Sequence, residues 1–225
     1  MTPICMGRNY ALEAPRTTTS DHNLKPRPEA DAGPRAWKTQ PMRTGVQPGS
    51  FDPPTLAHLV IAHTALRHHR LDQIVWSVSR RPLGKEEGRT TVDDRLPVLE
   101  AVTTDHRWLA IKATDARLVA DITDGHDVVV MGADKWHQLR DPGFYGHLVD
   151  GDTDDAGNAR AAMTVALGRL PTCAVAPRDG LAVPPEVALP VPRWVARQSS
   201  SSAVAGASWM ALSVARLSGL WPEVG

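Results

Sequence analysis

A rigid turn followed by an apolar run brings two polar side chains to the start of a predicted helix. The segment GSFDPPTLAH covers residues 49–58, and its two prolines fix the path of the chain into that helix. Gly49 and Ser50 allow the backbone to approach a ligand closely. Thr55 and His58 lie three residues apart, on one face of the first turn. A helix N-terminus favours anions, so we expect this segment to bind phosphate, with a protonated His58 adding a hydrogen bond and a charge.

The elements that must position this turn alternate between short apolar strands and helical patterns. Apolar residues with helical spacing run from Leu56 to His69, and Thr91 is expected to cap the next helix with Asp94 three residues on. This order predicts an α/β fold, a doubly wound, Rossmann-like parallel sheet with helices on both faces and ligands beyond the carboxyl ends of its strands. The predicted strands are RTGVQ, DQIVWSVS, RWLAIKAT, HDVVVMG and PTCAVAP, and a last helix is predicted in SWMALSVARLSGLW.

Composition limits the class of protein. The 225 residues are 42% hydrophobic and 22% charged, which suits one domain with a substantial core. Because 25 basic residues balance 25 acidic ones, neither nucleic acid nor a membrane surface is an expected partner. The two cysteines, Cys5 and Cys173, are too few for a disulfide framework, and the sequence has neither a signal peptide pattern nor a membrane-spanning run. Together these features predict a cytoplasmic protein.

The first 42 residues differ in character from the rest. They combine prolines and charges of both signs with no helical or strand periodicity. We predict a flexible leader over residues 1–42 and a single folded domain over residues 43–225. Two other interpretations of the leader stay open: an arm that binds a partner through Trp37, and a start codon assigned too far upstream.

The turn at residues 49–58 resembles the phosphate-binding signature of the nucleotidylyltransferase superfamily, in which G-[ST]-F-D-P is followed by [HT]-x-G-H. Members transfer a nucleotidyl group from a nucleoside triphosphate to a phosphate acceptor and release pyrophosphate. The resemblance implies that Gly49, Ser50 and Phe51 contact the nucleotide and that Thr55 and His58 are catalytic. The alternative is an ordinary helix cap at Thr55 and an interior histidine at His58.

A second segment, VVVMGADKWHQL over residues 128–139, resembles the G-x-D segment of nicotinate and nicotinamide mononucleotide adenylyltransferases. In those enzymes the glycine and the aspartate approach the ribose of ATP, and Gly132 and Asp134 occupy these positions here. Trp136 is expected to stack on a nicotinate ring. The structural alternatives are that Asp134 caps a helix and that Trp136 packs in the core.

The segment RRPLGKEEGRTTVDDRLPVLEAV, residues 80–102, is similar to the loop and helix that follow the second strand in the same enzymes. The resemblance implies that this loop covers the acceptor nucleotide. Lys85 or Arg81 would then bind the acceptor's phosphate. An isolated basic loop would carry little information.

The C-terminal segment RQSSSSAVAGAS resembles a third signature of the superfamily, [IV]-S-S-[ST]-x-x-[RK], whose hydroxyls and cation hold the triphosphate. Ser200, Ser201 and Ser202 match the hydroxyl positions, while Ala205 stands where the cation is usual. The alternative for such a serine run is a flexible linker. The missing cation implies a slow or inactive member of the superfamily as one outcome.

Taken together, the resemblance implies an adenylyltransferase that uses ATP and Mg²⁺, the metal arriving with the nucleotide and no metal-ligating residues being assigned. Its acceptor would be a small molecule, nicotinate or nicotinamide mononucleotide, and the pathway NAD biosynthesis. Other acceptors stay open, namely phosphopantetheine or the substrates of CTP-dependent relatives, as does a nucleotide-binding protein without turnover. The sequence leaves open whether the chain forms a homo-oligomer.

Overall fold

Five parallel strands form the centre of the protein, for which a computed structural model describes residues 41–81, 90–148 and 155–225. The strand order is β3-β2-β1-β4-β5, and every neighbouring pair is parallel. Because β1 is central and the order reverses beside it, the switch point lies between β1 and β4, where doubly wound sheets bind ligands. The strands are β1 (Thr44–Pro48), β2 (Gln73–Ser79), β3 (Leu109–Thr114), β4 (Val128–Gly132) and β5 (Thr172–Ala176).

Helices cover both faces of this sheet, which confirms the predicted doubly wound, Rossmann-like class. Alternate residues of β4 show the arrangement: Val128 and Val130 join one hydrophobic cluster with α1, while Val129 and Met131 join another with α4. Both faces of β4 are therefore removed from water. The α-helices are α1 (Leu56–His68), α2 (Val92–Thr103), α3 (Val119–Ile122), α4 (Ala133–Gln138), α5 (Asp155–Gly168), α6 (Ser200–Ala205) and α7 (Ser213–Ser218).

Short 3₁₀ helices complete the described elements, at Pro142–Leu148, Arg193–Arg197, Ser208–Met210 and Pro222–Val224. None of the helices in the described ranges is long and apolar enough to cross a membrane. All of the described residues belong to one compact unit that spans Gln40–Gly225. The boundary placed at residue 42 stays a prediction.

The sequence correctly predicts the first two helices but not the last. α1 begins at Leu56 as expected, and the Thr91 hydroxyl accepts a hydrogen bond of 3.1 Å from the Asp94 N–H at the start of α2. The single helix predicted in SWMALSVARLSGLW is wrong, because Ala211 and Leu212 are extended there. The Leu212 N–H donates to the Pro54 carbonyl at 3.0 Å, so pairing with the β1–α1 loop replaces the helical hydrogen bonds at this point.

Candidate active site

The loop from β1 to α1 leaves the carboxyl end of the central strand and is packed against an aromatic cluster. Phe51 is fully buried, stacks on Trp76 with ring centroids 4.6 Å apart, and meets the edge of His58 at 5.1 Å. A Cβ added to Gly49 would lie 2.8 Å from the Phe51 ring, so only glycine fits beneath it. Phe51 itself has a φ of +48°, which is uncommon for a residue with a side chain. Gly49 and Phe51 thus shape the loop, and their nucleotide contacts stay predictions.

Thr55 and His58 form a reciprocal cap at the start of α1. The His58 N–H donates to the Thr55 hydroxyl at 3.4 Å, and the Thr55 N–H donates to His58 Nδ1 at 3.1 Å. His58 Nδ1 also lies 2.9 Å from the Thr55 hydroxyl oxygen. Thr55 is completely buried, as expected for an interior cap.

This cap bears on which nitrogen of His58 carries a proton. A backbone N–H only donates, so Nδ1 is placed to accept from the Thr55 N–H. In this arrangement the cap uses Nδ1, and Nε2 is the nitrogen that can carry a proton. The positive charge expected on His58 stays a prediction.

Arg95 of α2 holds the β1–α1 loop through hydrogen bonds to main-chain carbonyls. Its residue exposure is 5%, its Nη1 donates to the Ser50 carbonyl, and its Nε donates to the Thr91 carbonyl at 3.1 Å. Burial lowers the pKa of the Arg95 guanidinium, while the carboxylates of Asp52 and Asp94 act in the opposite direction. The main chain of Ser50 is therefore held by a cation that the sequence analysis did not assign to the site.

Asp52 connects the same loop to the C-terminal part of the chain. Its Oδ1 accepts from Trp221 Nε1 at 2.5 Å and from the Thr90 hydroxyl at 3.2 Å. The aspartate of the phosphate-binding signature thus ties the loop to two other segments. Trp221, 169 residues away along the chain, could not be linked to it by any local pattern.

The serine run lies directly against the β1–α1 loop. The Ser200 hydroxyl donates to the Pro53 carbonyl at 2.8 Å, across 147 residues of sequence. The flexible-linker alternative is thus wrong, since Ser200 begins α6 rather than lying in an unstructured stretch. Ser201 is exposed, and Ala205 ends α6 with its residue also exposed.

Ser199, which the sequence analysis left out of the site, caps α6. Its hydroxyl accepts from the Ser202 N–H at 3.2 Å, and its own N–H donates to the Ser202 hydroxyl at 2.7 Å. The spacing of Ser199 and Ser202 is that of a capping box, so the sequence contained the signal. In this structure the Ser202 hydroxyl accepts the hydrogen bond that closes the cap of α6.

The end of β4 brings Gly132 and Asp134 to the same edge of the sheet. Gly132 is the N-cap of α4 and no side chain caps this helix, so the helix-cap alternative for Asp134 is wrong. The Asp134 side chain is 67% exposed, and its Oδ1 lies 3.5 Å from Arg178 Nε. That carboxylate faces solvent at the position where a ribose hydroxyl is expected.

Trp136 is buried in the core. Its exposure is 5%, it packs with Val46 and Met131, and the Arg140 guanidinium lies over its ring at 3.7 Å. One face of the indole is therefore covered by a cation–π contact. This supports the packing alternative over a ring open to stacking by a nicotinate.

The two basic residues expected at the acceptor are only partly described. Lys85 lies outside the described residues. Arg81 is exposed at the end of β2, where its N–H donates to the Ser79 hydroxyl at 3.2 Å. Their role at the acceptor phosphate stays a prediction.

The fold is that of an α/β protein of the Rossmann type, with the capped start of α1 at the carboxyl edge of its sheet. Among the residues that the structure describes, no group of three or more His, Cys, Asp or Glu side chains is placed to hold a metal ion. A dedicated metal centre is thus not visible in that part of the chain. The same edge of the sheet carries the capped start of α1, with the His58 ring, and the Ser200 hydroxyl.

Comparison with known proteins adds the particular family. A family model described as Cytidylyltransferase-like matches residues 46–148. A probable nicotinate-nucleotide adenylyltransferase of Methylorubrum extorquens is 32% identical over 172 residues, which cover 60% of this chain and 88% of that protein. One from Methylibium petroleiphilum is 38% identical over 65 residues, which cover 29% of this chain and 31% of that protein's length. The chain thus spans under a third of this second relative.

A solved structure, Plasmodium falciparum nicotinic acid mononucleotide adenylyltransferase complexed with NaAD, has a TM-score of 0.43 and 14% identity over 73% of this chain and 83% of that chain. This likeness is too distant to add to the strand topology. The match with the M. extorquens protein is extensive. The chain belongs to the nucleotidylyltransferase superfamily, in the branch of proteins like the nicotinate-nucleotide adenylyltransferases.

Proposed function

We propose that this protein transfers AMP from ATP to nicotinate mononucleotide, or to nicotinamide mononucleotide, and releases pyrophosphate. Nicotinate is favoured as the first acceptor to test because the similar bacterial proteins carry that name. The proposal includes a cytoplasmic location and small-molecule partners only. It also includes Mg²⁺ as the companion of the triphosphate, since hard oxygen-liganded cations usually enter such sites with the nucleotide.

One observation carries the proposal: the capped start of α1 and the serine run meet at the carboxyl edge of β1. The 2.8 Å bond from the Ser200 hydroxyl to the Pro53 carbonyl joins them. Two segments of the superfamily's signature, far apart in sequence, are thus adjacent in space. Such a meeting of backbone N–H groups and hydroxyls suits a polyphosphate.

In the proposed reaction, a phosphate oxygen of the acceptor forms a bond to the α-phosphorus of ATP. The bond from that phosphorus to the bridging oxygen breaks, and its electron pair leaves with pyrophosphate. No covalent bond to the protein forms. The protein contributes alignment and hydrogen bonds to the developing charge, which are the main sources of catalysis in phosphoryl transfer.

The residues take the following parts in the proposal. His58 donates from Nε2–H to a phosphate oxygen, and Thr55 fixes the ring through Nδ1. Gly132 and Asp134 receive the ribose. The loop and the serine run line the phosphates through Gly49, Ser50, Phe51, Ser200, Ser201 and Ser202.

The acceptor is proposed to bind near the end of β2, with Lys85 or Arg81 at its phosphate. For Trp136 to stack on a nicotinate ring, the Arg140 guanidinium would have to leave the indole face that it covers at 3.7 Å. A change of the Arg140 rotamer on acceptor binding is therefore part of the proposal.

The deciding experiment is pyrophosphate release by the purified chain with ATP and Mg²⁺. Nicotinate mononucleotide, nicotinamide mononucleotide and phosphopantetheine are supplied in parallel, and ATP binding is measured separately by calorimetry. Dinucleotide formed with a pyridine mononucleotide supports the proposal. Turnover with phosphopantetheine alone moves the chain to a different acceptor, and ATP binding without any turnover makes it a binding protein.

A further inference from the structure

Arg178 lies two residues beyond the end of β5, at the same edge of the sheet as the candidate site. Its Nη1 donates to the Val195 carbonyl at 3.2 Å and to the Gln198 carbonyl. Its Nε lies 3.5 Å from Asp134 Oδ1. The side chain is 18% exposed, against 67% for Asp134. One guanidinium thus contacts the residues after β4 and the chain that leads into α6.

The contacts between the residues after β5 and the chain before α6 depend on Arg178 more than on Arg197. The Asp179 N–H donates to the Ala196 carbonyl at 3.3 Å, and Arg197 pairs with Asp179 at 2.6 Å. That ion pair is exposed to solvent, with side chains 76% and 57% exposed, so it contributes little to the stability of this contact. Arg178 is shielded from water and donates to main-chain carbonyls, where charge-assisted hydrogen bonds are stronger.

The geometry also limits what else could stand at this position. A guanidinium presents several N–H donors in a fixed plane, so it can bond to two carbonyls and a carboxylate at once. A lysine ammonium is a point charge on a flexible stem and would not hold these three acceptors in a fixed arrangement. The arginine is therefore suited to setting the distance between Asp134 and the Gln198 main chain.

We propose that Arg178 is a positioning residue for ATP. It orients the Asp134 carboxylate and holds the main chain that leads into α6, so that both are in place before the nucleotide binds. This inference rests on the proposed function, which assigns Asp134 and the serines to ATP. Arg178 acts through these groups and is not itself required to touch the substrate.

A double-mutant cycle on ATP affinity tests the inference. The variants are Arg178→Gln, Asp134→Asn and their combination, with the ATP Kd measured by calorimetry in the full chain. We expect Arg178→Gln to raise the ATP Kd about tenfold, and only about threefold when Asp134 is already Asn, because coupled residues are non-additive. The KM for the mononucleotide acceptor should not change, whereas general loosening of the fold would raise both.

Two further variants make the test specific. Arg197→Gln removes the other arginine of these contacts and should leave the ATP Kd within about twofold of wild type. Arg178→Lys keeps the positive charge and most of the aliphatic side chain. It should still weaken ATP binding if the planar guanidinium, with its several N–H donors, is what positions the site. It also serves as the informative variant if Arg178→Gln does not fold.

The inference is overturned if Arg178→Gln binds ATP like wild type, if the loss is as large in the Asp134→Asn background, or if Arg178→Lys equals wild type. These results are separable from failure of the proposed function. A wild-type chain that binds ATP but makes no dinucleotide refutes the proposed reaction while the cycle still decides the role of Arg178. A wild-type chain that does not bind ATP refutes both.

Discussion

Two helix starts in this protein use the same hydrogen-bond pattern with different side chains. At α1 the Thr55 N–H donates to His58 Nδ1 at 3.1 Å, and at α6 the Ser199 N–H donates to the Ser202 hydroxyl at 2.7 Å. In both, the third helical residue returns to the cap residue, as in a capping box. The two helix starts are therefore closed by the same local pattern of hydrogen bonds.

The difference lies in the number of hydrogen-bonding atoms that the two side chains have. An imidazole has two nitrogens, so His58 can serve the cap through Nδ1 and donate elsewhere through Nε2. The Ser202 hydroxyl has one proton and is placed within hydrogen-bond distance of the Ser199 N–H, hydroxyl and carbonyl groups. A histidine in a cap thus combines structural and chemical roles, whereas a serine there is mostly structural.

Each start is also preceded by a carbonyl that accepts from a shielded arginine. Arg95 donates to the Ser50 carbonyl before α1, and Arg178 donates to the Gln198 carbonyl before α6. Arg95 is enclosed in the fold, while Arg178 pairs with the exposed Asp134. We therefore expect loss of Arg95 to act on stability and loss of Arg178 to act on ligand binding.

The largest effect on turnover is expected from substitution of His58. His58→Ala should lower turnover about a hundredfold or more, because one donor to the developing charge is lost. His58→Asn is the matched variant, since its amide oxygen can replace Nδ1 in the cap but nothing replaces Nε2. We expect both variants to show this loss in pyrophosphate release and His58→Asn to unfold at a temperature closer to wild type. Full activity in a folded His58→Ala protein would refute the assigned site.

Arg95 should give the largest effect on stability. Arg95→Leu removes the hydrogen bond from Arg95 to the Ser50 carbonyl and a positive charge that interacts with Asp52, so we expect a loss of about 2–3 kcal/mol in the free energy of unfolding. Denaturant titration measures it. Arg80→Leu, which removes a solvent-exposed ion pair with Asp93, should lower the free energy of unfolding much less than Arg95→Leu does. Equal losses in the two variants would show that Arg95 is not a special support.

Gly49→Ala tests how tightly the loop before α1 is packed. The added methyl group would lie 2.8 Å from the Phe51 ring, and we expect a cost of about 1–3 kcal/mol from overpacking. Gly146→Ala adds the same group where nothing lies within 4 Å. Thermal unfolding of the two variants should therefore differ. A stable Gly49→Ala protein would mean that the ring moves without cost.

Loss of the cap of α6 should lower turnover less than loss of the cap of α1. Ser199→Ala and Ser202→Ala are each expected to cost about 1 kcal/mol or less, because each removes part of one capping box. Their turnover should fall much less than that of His58→Ala. If Ser202→Ala were as inactive as His58→Ala, the Ser202 hydroxyl would contribute as much to the reaction as His58, and the distinction between the two starts would fail.

The smallest effect is expected at His126, which lies away from both starts. Its Nδ1 is 3.0 Å from the Thr44 hydroxyl, and burial, with Lys112 adding to it, lowers its pKa from 6.5 against the opposing effect of Asp127. The unfolded chain therefore binds the proton more readily, and stability is lost as pH falls below 6.5. His126→Gln should reduce that loss in unfolding curves measured between neutral and mildly acidic pH. An unchanged pH dependence would contradict the lowered pKa.

The sequence alone determined the elements whose signals are local. Apolar runs predicted the strands, and Thr55 and Thr91 marked the starts of α1 and α2 because a cap bonds to residues three positions away. It also placed His58 after β1 and Asp134 after β4, and so at one edge of the sheet, whereas Ser200 was assigned to the site through the resemblance alone. Parallel strands bring their carboxyl ends together whatever the loops between them.

Only the tertiary structure decided the features that depend on distant partners. The helix predicted over residues 208–221 is broken because Leu212 bonds to Pro54, and Trp136 is covered by Arg140 rather than open. The orientation of the His58 ring, with Nδ1 toward the Thr55 N–H, is also visible only in the structure. Arg95 and Arg178 belong to the site because their guanidinium groups reach carbonyls 45 and 20 residues away, and no periodic pattern encodes such contacts.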